Sequence, residues 1–381
     1  MAARTRRFYG YARAMKTQAA VLWEPGRPVE VLEVDLTPPK AGEVLVRIAA
    51  CGVCHSDLHV VEGHLPEPLP LVLGHEAAGI VEEVGPGVET LETGDHVVLA
   101  LVPSCRECDE CRRDRPNFCS LGARMATEGT LADGTSRLSM NGTTLHHFNS
   151  ISSFAGHAVV PESAAVRIRR DVPLEAAALV GCSVLTGYGA VANTAHVEEG
   201  ASVAVWGCGG VGANVVQGAR LAGASQIVAV DTRSEKLELA RWLGATDVVQ
   251  AGDGVDTVAA VKDVTGGGPD YAFEAIGAER AIQEAWKATR IGGTVVVVGI
   301  MPRGSTLTID PWQFMSEKTL KGTFLGSARI QEDVPRLIDL YHAGELELDR
   351  LVSRKLPLAE LPDAFDRLRA GDVVRQVVVF D

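Results

Sequence analysis

The sequence has 381 residues, 46% of them hydrophobic and 22% charged, with 40 glycines and a formal net charge of −13. That length suggests two domains, and the composition is that of a soluble α/β protein rather than a disordered one. The acidity disfavours nucleic acid as a partner, and no apolar run approaches the ~20 residues needed to span a membrane.

Residues 1–14 are basic and carry no acidic side chain. Such a start can be a mitochondrial transit peptide, but it is short and little amphipathic. Residues 1–15 therefore read as a disordered tail, or as sequence upstream of a start at Met15. From Lys16, β-forming runs at 18–23, 29–36, 43–51, 79–84 and 94–99 are broken by Pro/Gly turns. These are expected to be antiparallel strands of a compact β-rich domain.

Two polar islands interrupt that pattern, Cys51 to His59 and Gly74-His75-Glu76. Cys54 and His75 are good zinc ligands, and Cys182 is a third candidate. Two thiolates and one imidazole with a fourth position open make a catalytic zinc arrangement. Singly, each has a blander reading: a lone cysteine is usually a small core residue, and a lone histidine is usually hydrogen-bonded structure.

The next feature is a ladder, Cys105, Cys108 and Cys111 at every third residue, with Cys119 eight positions on. No helix or strand period produces that spacing, whereas short loops let four thiolates converge on one zinc at ~2.3 Å. Four sulfurs leave no open position, so this site would be structural. Its charged flanks place it in an exposed lobe and argue against buried thiols. The four remaining cysteines (Cys51, Cys54, Cys182 and Cys208) lie far apart, which fits a reducing cytosol. Residues 120–150 read as a long polar loop, with His146 and His147 as surface or packing residues because neighbours in extended chain point apart.

Near residue 184 the pattern changes to alternating β and α. Strands are expected at 201–206, 226–231, 247–249, 271–276, 294–299 and 320–325, with helices between them. This is a parallel sheet covered on both faces, a doubly wound domain. Helices at 332–342 and 359–369 and a strand at 374–380, returning to the first domain, complete the chain. Gly207-Cys208-Gly209-Gly210-Val211-Gly212 follows the first of these strands and opens a helix. Gly207 permits the tight turn, Gly209 the approach of a pyrophosphate and Gly212 close helix–strand packing, while the helix N-terminus offers N–H groups to phosphate. Asp231 ends the next strand, where a carboxylate bonds the ribose hydroxyls and repels a 2′-phosphate. NAD is favoured over NADP. Arg233 argues for caution, and Lys236 can reach the ribose edge or be a solvated helix lysine.

Together the stretches CGVCHSDLH, GHEAAGIVEEVG, CRECDECRRDRPNFC, GCSVLTGYGA, GCGGVG with VAVD, and GDVVRQVVVF make the chain resemble the zinc-dependent medium-chain alcohol dehydrogenases from Lys16 to Asp381. The resemblance implies an α/β protein with a β-rich, GroES-like catalytic domain (16–183 and 326–381) and a Rossmann coenzyme domain (184–325). It implies two zinc ions and NAD: Cys54, His75 and Cys182 as catalytic ligands with Glu76 just behind the metal, and Cys105, Cys108, Cys111 and Cys119 as the structural set. Ser56 would take the alcohol proton and His59 would pass it to solvent, with Asp57 supporting His75. His55 and Arg375 would face the pyrophosphate, and Val298, Gly299, Ile300, Thr323, Phe324 and Leu325 would line the nicotinamide. Zinc lowers an alcohol's pKa, and NAD accepts the hydride.

The same resemblance places Leu65, Leu101, Phe118, Phe148, Ile300 and Phe324 on a substrate channel. Leucine at 101, where many relatives carry an aromatic residue, makes it roomy, so longer or aromatic primary alcohols are expected over ethanol. His55 stands where many relatives have arginine. Thiol-adduct formaldehyde dehydrogenases carry acidic residues near position 64, where this chain has His64 and Leu65, and an arginine where Ala123 stands beside Arg124, which disfavours adduct oxidation. The opening of the chain and the 120–150 stretch also resemble bacterial nicotinoprotein alcohol dehydrogenases, which retain NAD. A non-catalytic NAD-binding protein would be expected to have lost a ligand or relay residue, and none is missing. The resemblance further implies a cytoplasmic homodimer joined at the strand around 294–300 or its neighbour, acting on a small-molecule alcohol or aldehyde.

Overall fold

The computed structural model describes residues 14–380, so the reading of residues 1–13 as a tail lies outside the described residues. The first half contains β1 (Met15–Leu22), β2 (Glu30–Leu36), β3 (Glu43–Val53), α1 (His55–Val61), β4 (Leu71–Val72), β5 (Ala77–Val84) and β6 (His96–Leu99). It continues through α2 (Asp109–Arg112), α3 (Ser120–Glu128), β7 (Leu138–Met140), β8 (Thr143–His147), β9 (His157–Pro161), β10 (Ala165–Ile168), α4 (Leu174–Ala178) and α5 (Ser183–Gly189). Strands β1, β2, β7, β8 and β4 close a small barrel. A second sheet runs β10-β6-β5-β3, with β9 also pairing with β3. Strand β3 is buried along most of its length because neighbours cover both its faces, which explains its near-continuous apolar run.

The second half alternates β11 (Ser202–Trp206), α6 (Gly210–Leu221), β12 (Gln226–Asp231), α7 (Ser234–Leu243), β13 (Asp247–Gln250), α8 (Thr257–Thr265), β14 (Tyr271–Glu274), α9 (Glu279–Ala288), β15 (Thr294–Val297) and β16 (Thr319–Gly322). These strands pair in parallel in the order β13-β12-β11-β14-β15-β16. Helix α9 shows why such segments coat a sheet. Ala281, Ile282, Ala285 and Trp286 recur on one face and are buried, a stripe of helical period. One apolar cluster (Trp206, Val228, Val261, Trp286) fills one side of the sheet. On the other side, Val205, Phe273 and Val296 belong to a cluster continuous with Val46 and Leu99 of the β-rich half. The two halves therefore share a core.

After α10 (Ile330–His342), β17 (Val352–Leu356) and α11 (Leu361–Ala370), the chain ends in β18 (Arg375–Val379). Strand β18 pairs antiparallel with β3, Val378 opposite Cys51, and carries Arg375 back into the first half. Helices α5 and α6 meet at backbone distance: a Cβ on Gly187 would collide with the Val211 carbonyl. This close packing brings the residues before α5 next to the glycine turn before α6.

Two expectations need correction. Residues 120–150 are not a loop but α3 followed by the β7–β8 hairpin, whose strands complete the barrel. The strand expected over 320–325 is β16, which ends at Gly322, so Thr323 to Leu325 leave the sheet. Among the described residues, no single helix is long and apolar enough to cross a membrane.

Candidate active site and metal centres

Cys54 stands at the junction of β3 and α1, His75 between β4 and β5, and Cys182 at the start of α5. The ligand atoms of these three buried residues lie within 4.8 Å of one another. One carboxylate braces the group: Asp57 accepts the Cys54 N–H at 3.3 Å and the Gly74 N–H at 3.0 Å, and lies 3.2 Å from His75 Nδ1. With Nδ1 so occupied, His75 Nε2 is the free nitrogen, and it is buried with no hydrogen-bond partner. Hydrogen bonding with Cys182 holds the Cys54 thiol well below its usual range, and Cys54 in turn pushes Cys182 well above its own. A cation placed between the two sulfurs would let both ionise. Two sulfurs and a tautomer-fixed imidazole whose Nε2 is orphaned fit zinc.

Glu76 stands apart from this donor set. Its Oε1 accepts bonds from the Ser183 hydroxyl at 2.5 Å and the Ser183 N–H at 3.3 Å, and its Oε2 lies 3.4 Å from Arg375. Burial pushes the carboxyl up to about 7 against the opposing pull of Arg375. Its side chain ties α5 and β18 together behind the ligands.

Cys105, Cys108, Cys111 and Cys119 also bring their sulfurs within 4.8 Å, and all eight cysteines are free thiols. The Cys105 N–H donates to Cys119 Sγ at 3.2 Å and the Cys108 N–H to Cys105 Sγ at 3.3 Å, bonds that stabilise thiolates. Cys119 is fully buried although the lobe around it is charged. The lobe is also not isolated. Asp114 pairs with Arg329 at 2.9 Å, Asn117 donates to the Phe324 carbonyl at 3.2 Å, and the Phe118 ring stacks on Phe324 with centroids 6.1 Å apart. These contacts span some 200 residues, and no local pattern signals them.

A cleft of about 800 Å³ runs from the Cys54–His75–Cys182 group to the glycine turn. At that turn Gly207 adopts φ 87°, and a Cβ on Gly212 would collide with the Gly207 carbonyl. Gly207, Gly209, Gly210 and Val211 line the cleft, whereas Cys208 and Gly212 face inward. Asp231 accepts the Cys208 N–H at 2.7 Å and the Arg233 N–H at 3.0 Å. The Arg233 guanidinium is turned away to Ala370 and Asp372, at 2.9 and 2.8 Å, so it is not poised for a 2′-phosphate.

His55, Ser56, His59, Lys236, Val298, Gly299, Ile300, Thr323, Phe324, Leu325 and Arg375 line this cleft, as do Leu65, Leu101 and Phe148. Phe118 does not. It reaches the wall only through its stacking on Phe324. Asn149 and Thr186 line the cleft without having been singled out from sequence. Thr186 sits one turn after Cys182, a spacing that could have identified it.

Residues 210–343 match the family described as zinc-binding dehydrogenase, and residues 40–170 the alcohol dehydrogenase GroES-like domain. An S-(hydroxymethyl)glutathione dehydrogenase of Paracoccus denitrificans is 40% identical over 375 residues, covering 96% of this chain and 100% of the relative. A class-3 alcohol dehydrogenase of Cereibacter sphaeroides is 41% identical over 377 residues, with the same coverage of 96% and 100%. Among solved structures, the benzyl alcohol dehydrogenase of Acinetobacter calcoaceticus superposes with a TM-score of 0.91 at 35% identity, covering 96% of this chain and 100% of that one.

Proposed function

The chain belongs to the zinc-dependent medium-chain alcohol dehydrogenases, NAD-dependent zinc oxidoreductases, and we propose that it oxidises aromatic or longer-chain primary alcohols to aldehydes. The observation that carries this substrate class is the cleft wall beside the ligand group, formed by Leu65, Leu101, Phe148 and Phe324. Apolar walls reward ring or chain burial at ~25 cal/mol per Å² and give ethanol little to fill.

Cys54, His75 and Cys182 would hold a zinc ion, which would supply Lewis acidity toward an alcohol oxygen, and the cleft would hold the NAD that serves as hydride acceptor. Ser56, whose Oγ lies 3.7 Å from Cys54 Sγ, takes the alcohol proton. His59, three residues on along α1 and so on the same face, carries it outward. Burial, followed by the neighbouring His64, holds the His59 ring below its usual range, so it is neutral and able to accept at physiological pH. His55 and Arg375 would hold the pyrophosphate, and Asp231 the ribose. The two donor groups hold one catalytic and one structural zinc. Free thiols throughout suit a cytoplasmic setting.

A second reading, oxidation of a formaldehyde–glutathione adduct, is favoured by the identity to the Paracoccus relative. It would need cations for the tripeptide carboxylates. Of the cleft-lining cations, Arg280 is paired with Glu284, Arg369 with Glu62 and Asp366, and Arg375 with Glu76, which leaves Lys236, assigned above to the ribose edge. Comparing kcat/KM for benzyl alcohol, hexanol, ethanol and S-hydroxymethylglutathione with soluble NAD tests the choice. Benzyl alcohol or hexanol should lead, and a lead by ethanol or the adduct would refute the assignment. Nucleotide that copurifies and does not exchange would instead indicate the nicotinoprotein mode.

For assembly we propose a homodimer through the outer edge of the parallel sheet. Strand β15 is paired on both sides, so of the two expected contacts only its neighbour β16 offers an edge. Beside it Ile291, Trp312 and Met315 are 73%, 77% and 74% exposed, a patch of the kind that marks an interface.

A further inference from the structure

Three more donors converge at the outer end of α1. His59 lies in the last turn of the helix, Glu62 caps it and His64 follows, and their ligand atoms lie within 4.8 Å of one another. Three-residue spacing puts His59 and Glu62 on one face. Gly63, at φ 75°, turns the chain, and the Leu65 N–H donates to the His59 carbonyl at 3.1 Å, which folds His64 back over that face. Glu62 Oε1 accepts from Arg369 Nε at 2.8 Å, and its Oε2 lies 3.3 Å from His64 Nδ1. An ordinary carboxylate–histidine pair accounts for those two residues. It does not account for His59, whose Nδ1 is buried with no hydrogen-bond partner.

Two imidazoles and a carboxylate form a donor set suited to divalent zinc, nickel or copper, and His64, 46% exposed, leaves the group open to solvent. We infer that His59, Glu62 and His64 form a third metal site, separate from the two sulfur-rich sets, at which a divalent transition-metal ion binds reversibly. An ion there occupies a His59 lone pair and so stops proton exit from the cleft. This inhibitory consequence rests on the relay role proposed above for His59. The neighbouring Arg369 guanidinium opposes the ion, so the site should be weaker than the sulfur sets.

The test titrates zinc-replete enzyme with Ni²⁺ near neutral pH, counting bound nickel and retained zinc after gel filtration while following benzyl alcohol turnover. His64→Ala is treated in parallel. The expected result is one nickel per chain with zinc unchanged, and turnover falling as the site fills. In His64→Ala, the enzyme should still turn over without nickel, and nickel binding should be weaker by about tenfold or more, since even outer partners of ligands are worth that much. Nickel that binds and is lost in His64→Ala without slowing wild-type turnover supports the site and removes His59 from the relay. No nickel beyond the resident zinc, or equal affinity in His64→Ala, overturns the inference.

Discussion

The carboxylate of Asp57 lies 3.2 Å from His75 Nδ1, and both side chains are sealed from solvent. The same carboxylate accepts the N–H of Cys54 and of Gly74, so one group sets the tautomer of one ligand and the backbone of another. Asp57→Asn should keep the fold but lower zinc affinity at this site about 10- to 100-fold. Zinc counted after dialysis against a mild chelator should fall toward one per chain, with activity lost in proportion. Retention of both zincs would contradict this role.

Asn117 is a positioning residue for the channel. It is buried, and its amide donates to the Phe324 carbonyl from the cysteine lobe. Asn117→Ala removes a bond worth about 1 kcal/mol, so KM for benzyl alcohol should rise roughly fivefold with kcat nearly unchanged and both zincs retained. Equal falls in kcat for all alcohols would point to general damage instead.

His147 should govern part of the acid stability. Burial, aided by the Arg137 guanidinium, pushes its pKa down from 6.5 to about 3, and its Nε2 accepts the backbone N–H of Arg137 at 3.2 Å. The folded state thus holds the ring neutral where the unfolded chain would protonate it. The stabilisation is complete above pH 6.5 and is lost as pH falls toward 3, at up to about 1.4 kcal/mol per pH unit. His147→Gln can still accept a bond but does not titrate, so its stability between pH 6.5 and 4 should fall less steeply. Urea midpoints across that range measure the difference.

Trp312→Arg places a charge on the exposed patch beside β16. Light scattering behind size exclusion should show the wild-type dimer become a monomer, with two zincs per chain retained. An unchanged mass would place the interface elsewhere.

The cysteine ladder and the glycine turn were legible because their chemistry lies in short spacings, whereas Cys54, His75 and Cys182 lie far apart in the chain and were gathered into one set by the family resemblance. Cys105 to Cys119 need only a folded-back loop, and the turn from Gly207 to Gly212 is fixed by sterics within six residues. The 120–150 stretch was misread because its polar residues hid a signal that was present. Asn141-Gly142, both with positive φ, joins Met140 to Thr143 in a two-residue hairpin, the pairing Asn-Gly favours. What the sequence could not show is contact across distance. The stacking of Phe118 on Phe324, the diversion of Arg233 to Asp372 and the withdrawal of Glu76 toward Ser183 each depend on tertiary packing.

The most direct test of the central claim is a crystal structure of the complex with NADH and benzyl alcohol, a pair that cannot react, with diffraction recorded across the zinc edge. Two anomalous peaks per chain are predicted, one among Cys54, His75 and Cys182 and one among Cys105, Cys108, Cys111 and Cys119, with the benzyl ring between Phe148 and Phe324. An absent first peak, or a ring bound outside those walls, would contradict the account.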